Sequence, residues 1–312
     1  EILLSEIFMM NNNIEKISLT EKKRMNAMIK PKSKSDKSMI AWINSFGWHK
    51  NLHINNLDND LSDGIIILKL LSKCKEKCVK WRNVRKKSKI RHKFDKLSNC
   101  KMIMEICQNH FDFSLVGMGG NDIVDGHQKF IRTLLWQIQL TYSTRGINLY
   151  KHGHEHQTKK KMISEYDIVK WSNQQINKLK EQDIDQELIK KQISSLKDSS
   201  LSNSIYLLNL LSSINISWVD YKLIYSVPNR IKSRSGGSND EYKKKRKNNA
   251  RYLLTIIRRL GQNIFISADD ICRVEQHAIL SVITSIMTIA TKYEKEISHE
   301  ANDDDEKEQE PN

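Results

Sequence analysis

Four oxygen-bearing side chains, Asp58, Asp60, Ser62 and Asp63, crowd into one short stretch and invite a calcium reading. A calcium hand needs Gly at the sixth loop position for its sharp turn and a bidentate Glu at the twelfth. Counted from Asp58 those positions hold Asp63 and Lys69, so turn and charge both fail. Gly117, Gly119 and Gly120 suggest phosphate cradling, but no strand pattern precedes them and no Gly-Lys-Ser/Thr follows, which leaves a tight turn between helices. His152, His154 and His156 alternate, and Cys74 and Cys78 stand one helical turn apart. Structural zinc takes four converging ligands, and neither set supplies them locally. No nucleophile sits beside a base and no carboxylate pair faces a cleft, so neither an enzyme nor a metal or cofactor is expected.

The chemistry therefore has to lie in surfaces, and the elements that carry them read as helices. Apolar residues recur at three- and four-residue spacing in 126–142, with Phe130, Ile131, Leu134, Leu135 and Ile138 on one stripe. Ile279, Val282, Ile283, Ile286, Met287 and Ala290 do the same in 274–293. Helices are expected over 35–46, 61–73, 94–109 and 126–142, then again over 162–179, 201–213, 240–260 and 274–293. Only three prolines interrupt the chain, which suits long helices, and no segment alternates as a strand would.

The two sets of four repeat one another. Trp42-Ile43-Asn44 pairs with Trp171-Ser172-Asn173, Leu61-Ser62-Asp63 with Leu201-Ser202-Asn203, Trp81 with Trp218, Asn99 with Asn249, and Asp122-Ile123 with Asp270-Ile271. Order is kept while the offset drifts, as duplicated domains with unequal loops require. At 312 residues two domains are also what length predicts. Between the copies, 144–161 is polar and contains Gly146 and Gly153, the composition of a linker. Core positions are expected for Trp42, Trp81, Trp171 and Trp218. Trp136 divides evenly between core and surface, and Trp48 is expected outside.

Charge is strong and uneven. Residues 294–312 hold nine acids against two lysines, a net −7, which leaves +22 on the remainder of a chain whose total is +15. The acidic tail is too poor in apolar residues to fold and is expected to stay disordered, while the basic body should attract a polyanion. Lys73 to Lys93 alone carries eleven Lys and Arg against Glu76, and Lys243 to Lys247 forms a second cluster. Without a reader motif or interleaved aromatics, nucleic acid is disfavoured as the primary ligand. No apolar run is long enough to span a membrane. The five cysteines and the absence of a leader favour reduced thiols in a cytoplasmic protein. The start at Glu1 suggests a fragment.

Asp60-Leu61-Ser62-Asp63-Gly64 followed by Ile65 to Leu71 resembles the calponin-homology signature, with Asp60 expected to cap that helix. Phe113 to Ile123, together with Asp125-Gly126 and Leu135-Trp136-Gln137, resembles the third calponin-homology domain of the fimbrins (plastins), and Trp42 to Gly47 its opening helix. Leu196-Lys197-Asp198, Asn249-Ala250-Arg251-Tyr252 and Arg258-Arg259-Leu260-Gly261 are similar to the fourth. The second copy departs in having Asn203-Ser204 where the first has Asp63-Gly64, and the stretch 73–93 is far more basic than the resemblance leads one to expect.

The resemblance implies an all-α chain of two tandem calponin-homology domains, 35–143 and 162–293, each with about four main helices plus short connecting ones. Residues 1–34 form a leader of uncertain role. It implies filamentous actin as partner, an actin-cytoskeleton location, and bundling together with a further actin-binding domain not found in this chain. A non-actin scaffold, a microtubule binder or a basic nucleic-acid binder are the alternatives. The filament-facing helices of such pairs are the first and last of the leading domain and the first of the trailing one. Their non-core residues are Lys34, Lys37, Lys129, Arg132, Tyr142, Arg145, Lys160, Lys161 and Lys170. A monomer with no small-molecule ligand is expected.

Overall fold

The computed structural model describes residues 34–49, 52–147, 163–179, 192–227 and 238–307, with the side chains of 34–35, 238–239 and 299–307 outside the description. Among the described residues every regular element is helical. In the first domain these are α1 (Lys34–Asn44), α2 (Leu57–Asp60), α3 (Ile65–Cys74), α4 (Lys93–Phe111), α5 (Gly120–Val124) and α6 (Gln128–Thr144). The second has α7 (Glu165–Leu179), α8 (Ile205–Ser212), α9 (Ser238–Arg259), α10 (Ala268–Cys272) and α11 (Gln276–Lys307).

Each domain closes around its own core. Ile43, Leu68, Leu71, Ile103, Leu134 and Ile138 are buried together in the first, and Ile168, Leu207, Leu211, Leu253, Ile283 and Ile286 in the second. Each such side chain removed from water contributes about 1.5–3 kcal/mol. Trp42, Trp136, Trp171 and Trp218 pack half-buried against these cores. Two tryptophans depart from expectation. Trp81 is 46% exposed, whereas Trp48 is half-buried and stacked on Phe46 at 5.2 Å.

The internal repeat is written in hydrogen bonds. Asn44 exchanges two with the backbone of Ile54, at 2.8 and 3.1 Å, and Asn173 exchanges the same two with Ile193, at 2.9 and 3.0 Å. Asn99 accepts from the Arg85 N–H and donates to the carbonyls of Arg85 and Asp63. Asn249 accepts from the Tyr225 N–H and donates to the carbonyls of Tyr225 and Asn203. Arg85 therefore corresponds to Tyr225 at the same offset as Asp63 to Asn203. That register sets the turn Trp81–Asn83 against Tyr221–Leu223, so the partner of Trp81 is Tyr221, three residues beyond the Trp218 that identity matching selects.

Three further expectations are corrected. Asp60 does not cap the apolar helix; its carboxylate accepts from the N–H groups of Asn55 and Asn56, and Asp63 accepts from the Ile65 N–H. The helix starts at Ile65 because Gly64 before it has φ +73°, and a Cβ there would meet Ile103 at 3.0 Å. The linker expected over 144–161 begins later: Thr144 ends α6, Ile147 is buried in the second core, and 148–161 lie outside the described residues. The acidic tail expected to be disordered from Glu294 is helical through Lys307. A helix already nucleated by the buried stripe of α11 propagates at little cost through Glu and Lys, and Lys292 pairs with Glu296 one turn on.

Candidate functional site

Among the described residues, Lys34 and Lys37 lie on α1, Lys129, Arg132 and Tyr142 on α6 with Arg145 just beyond it, and Lys170 on α7, and α6 organises them. Its Ile131, Leu134, Leu135 and Ile138 enter the first core, while Trp136 and Leu140, on another face, pack against the second. Gln139, buried beside them, donates to the Ser281 hydroxyl of α11 at 3.0 Å. One helix thus belongs to both domains and fixes their seam. A second tie crosses it where Ser38 of α1 donates to Asp270 at 2.7 Å. Asp270 also closes the capping box of α10 by accepting from the Ser267 N–H and hydroxyl. Burial pushes the Asp270 carboxyl up, but these hydrogen bonds and the neighbouring Arg273 hold it below the usual range.

Side chains near both ends join α1 to α6. At the start, the Arg132 guanidinium donates to both carboxylate oxygens of Asp36, at 3.0 and 2.7 Å, and reaches Asp58 at 3.4 Å. Asp58 also accepts from Gln128 at 2.8 Å. The Asp36 hydrogen bonds raise the Arg132 pKa against the opposing effect of burial. At the far end Tyr142 packs edge-on against Phe46 at 4.9 Å and Trp42 at 6.0 Å, and the Arg145 guanidinium lies over the Tyr142 ring at 3.6 Å.

Among the described residues several clefts open along the seam, one of them lined by Arg132 and His277, and two others meet at Phe265. Of these two, one of about 700 Å³ is lined by Lys37, Ala41, Phe265 and Arg273; the other, about 430 Å³, by Trp42, Tyr142, Arg145 and Phe265. Phe265 is 47% exposed and shared by both, so Lys37, Tyr142 and Arg145 meet around an aromatic ring from the second domain. Sequence reasoning missed Phe265. It stands between Ile264 and Ile266, which both pack on the second core, so a short apolar run that reads as core conceals an exposed ring.

The other expected residues are placed differently. Arg132 holds α6 to α1 and α2, so its charge is spent inside the domain. Lys129 and Lys170 are exposed but line none of these clefts. The side chain of Lys34 and all of Lys160 and Lys161 lie outside the described residues, as do His152, His154 and His156.

The metal-like clusters resolve into fold contacts. Asp58, Asp60 and Asp63 are occupied as described, and Ser62 accepts from Lys96 at 3.0 Å. Burial pushes the Cys74 thiol up to about 12 and raises that of Cys78, so both stay protonated at neutral pH. Among the described residues no three His, Cys, Asp or Glu converge as metal ligands, and no helix is long and apolar enough to cross a membrane. The glycine stretch is a turn between α4 and α5, with Gly120 pressed so closely on α4 that a Cβ would meet the Lys101 nitrogen at 3.1 Å.

Comparison with known proteins follows the same two-domain division. The calponin homology (CH) domain model matches residues 33–144 and 162–294. Fimbrin-2 of Arabidopsis thaliana is 33% identical over 258 residues, which cover 82% of this chain and 35% of that protein. Plastin-3 of Homo sapiens is 27% identical over 262 residues, covering 83% and 37%. The solved actin-crosslinking core of Schizosaccharomyces pombe fimbrin superposes with a TM-score of 0.64 at 27% identity, covering 82% of this chain and 48% of that one. The chain spans a little over a third of the length of these curated relatives.

Proposed function

Since the chain belongs to the calponin-homology family, as a tandem pair of the fimbrin and plastin kind, we propose that it is an actin-filament-binding module of a bundling protein. The observation that carries this reading is the likeness, over 82% of the chain, to a fragment described as an actin-crosslinking core. Cross-linking needs a second filament site, which we assign to a further actin-binding domain acting together with this pair. Binding rather than catalysis is the role, and the actin cytoskeleton is where such a module acts.

The contact surface we assign is the seam: Lys37, Tyr142 and Arg145 from the first domain, joined by Phe265 from the second. Their cations steer approach to an acidic filament surface, and the exposed faces of Tyr142 and Phe265 prolong the bound state. Lys34, Lys129 and Lys170 add cations on the flanking helices, and Lys160 and Lys161, outside the described residues, are assigned to the same surface. Arg132 supports this surface by locking α1 to α6. Sedimentation with filamentous actin at low and moderate salt tests the proposal: the chain should pellet with filaments at low salt and progressively less as salt screens the cations. Retention in the supernatant at low salt, where a fimbrin half pellets, would remove actin as the partner.

A further inference from the structure

The basic stretch Lys73 to Lys93 plays no part in the seam. Its middle forms two single turns of 3-10 helix, Trp81–Asn83 and Lys87–Lys89, pinned between them by Asn99 on the Arg85 backbone. Beside it lies a groove of about 790 Å³ with an apolar floor of Leu52, Ile65 and Val84, a wall formed by Trp81, and Lys69 and Lys86 at its rim. Lys86 is exposed. The Lys69 ammonium stands between two indoles, 5.7 Å from the Trp81 ring and 5.6 Å from that of Trp48.

The repeat supplies an internal control. Tyr221, the counterpart of Trp81, is half-buried against the second core and donates its hydroxyl to Asn209 at 3.3 Å. The matching stretch of the second domain, 213–233, holds three Lys and Arg against Asp220, whereas 73–93 holds eleven against Glu76. The same turn therefore completes a core in one domain and leaves a large ring out, amid a one-signed charge, in the other. The Trp81 ring, 46% exposed, is continuous with Leu52, Ile65 and Val84 in an apolar groove flanked by lysines, the arrangement that marks an interaction site.

We propose that this groove docks an acidic polypeptide segment bearing one large apolar side chain. The apolar side chain lies on Leu52, Ile65 and Val84 against Trp81, and flanking carboxylates meet Lys69 and Lys86. The charge of the stretch selects an anion, and the aliphatic floor selects a peptide over a nucleic acid. A nucleotide strand needs stacking planes along a cationic track; here a single indole is available, with the Lys69 ammonium near its ring. The site is separate from the seam, since Trp81 lines none of the seam clefts.

The test uses the full chain and a short fluorescein-labelled peptide of Glu and Asp around one central Trp, read by anisotropy. Two comparison probes are the same peptide with Ala at its centre and a single-stranded oligothymidylate. The Trp-centred peptide should bind roughly tenfold tighter than the Ala-centred one, with affinity falling as salt rises. Trp81→Ala and Lys86→Glu should each weaken it about fivefold or more, with the melting temperature and filament pelleting unchanged. No binding of the Trp-centred peptide, equal binding of the Ala-centred one, tighter binding of the oligothymidylate, or indifference to both substitutions would overturn the proposal. If the chain's own acidic residues 294–312 occupy the groove, deleting 299–312 will raise peptide affinity while the Trp81→Ala effect persists; a Trp81→Ala effect lost on that deletion also counts against it.

Discussion

Arg132 and Asp36 are 96 residues apart in sequence, yet the guanidinium grips both oxygens of the carboxylate, with Asp58 as a second anion beside it. Asp36 and Asp58 are buried, and Arg132 is about one-third exposed. Removing the cation takes the counter-charge from two buried carboxylates. Arg132→Ala should cost about 2–3 kcal/mol in urea denaturation, the penalty for a broken buried pair reduced for partial exposure. A loss below about 0.5 kcal/mol, the size of a surface pair, would show that the guanidinium does not hold the helices. Charge reversal at Arg132 would disturb this helix contact along with the surface and is therefore a poor probe of filament binding.

Ser204 occupies the place of Gly64 and takes the same left-handed conformation, at φ +63°, with its hydroxyl buried and without a hydrogen-bond partner among the described residues. Both features cost stability. Ser204→Gly should raise the stability of the second domain by about 1–2 kcal/mol, and Gly64→Ser should lower that of the first by at least as much. Calorimetry on the two variants checks the signs, and a destabilising Ser204→Gly would show that this backbone is not strained.

Asn99 and Asn249 each make three hydrogen bonds to matched backbone groups. Alanine at either position leaves several backbone groups unpaired, at a cost of about 3 kcal/mol. The Asn99 variant should also speed amide exchange at Arg85, since its N–H loses its acceptor. Unchanged exchange there would mean that the basic loop is held by other contacts.

His277 is 6% exposed at the start of α11, and its Nε2 has no hydrogen-bond partner among the described residues. Burial lowers its pKa below the ordinary 6.5, with Arg273 acting in the same direction and Asp270, Glu275 and Asp36 acting against it. A depressed histidine pKa means that the unfolded chain takes up the proton first. Stability contributed by neutral His277 is therefore complete above pH 6.5 and declines as pH falls toward the folded-state value. His277→Gln should flatten the melting-temperature profile between about pH 7 and pH 5. An unaltered profile would place the acid sensitivity elsewhere.

Much of this fold is legible in the sequence because it is local. Apolar spacing in α6 and α11 marks their buried faces, and Asn44, Asn99 and Asp122 announce the repeat because each copy reuses the same side-chain bond to the backbone. Legibility fails where a residue's role depends on the other end of the chain. Nothing near Arg132 reveals Asp36 as its partner, and nothing near Phe265 reveals that it meets Tyr142 and Arg145 across a domain boundary. Trp81 misleads for a different reason: chemical identity with Trp218 suggested a pairing that the hydrogen-bond register of Asn99 and Asn249 assigns to Tyr221.

The most direct test of the central claim is filament sedimentation of Lys37→Glu/Arg145→Glu and of Phe265→Ser beside the unaltered chain. All three positions are exposed, and Arg145 alone of them makes a contact described above, over the Tyr142 ring. The seam account predicts that Phe265→Ser melts as the parent does, that the double variant loses only the roughly 0.5–1 kcal/mol of the Arg145–Tyr142 contact, and that each binds filaments roughly tenfold or more weakly, a loss of about 1.4 kcal/mol or more. Parent-like binding by both variants, with weakening only when Lys73 to Lys93 is altered, would contradict it and move the filament site to the basic loop.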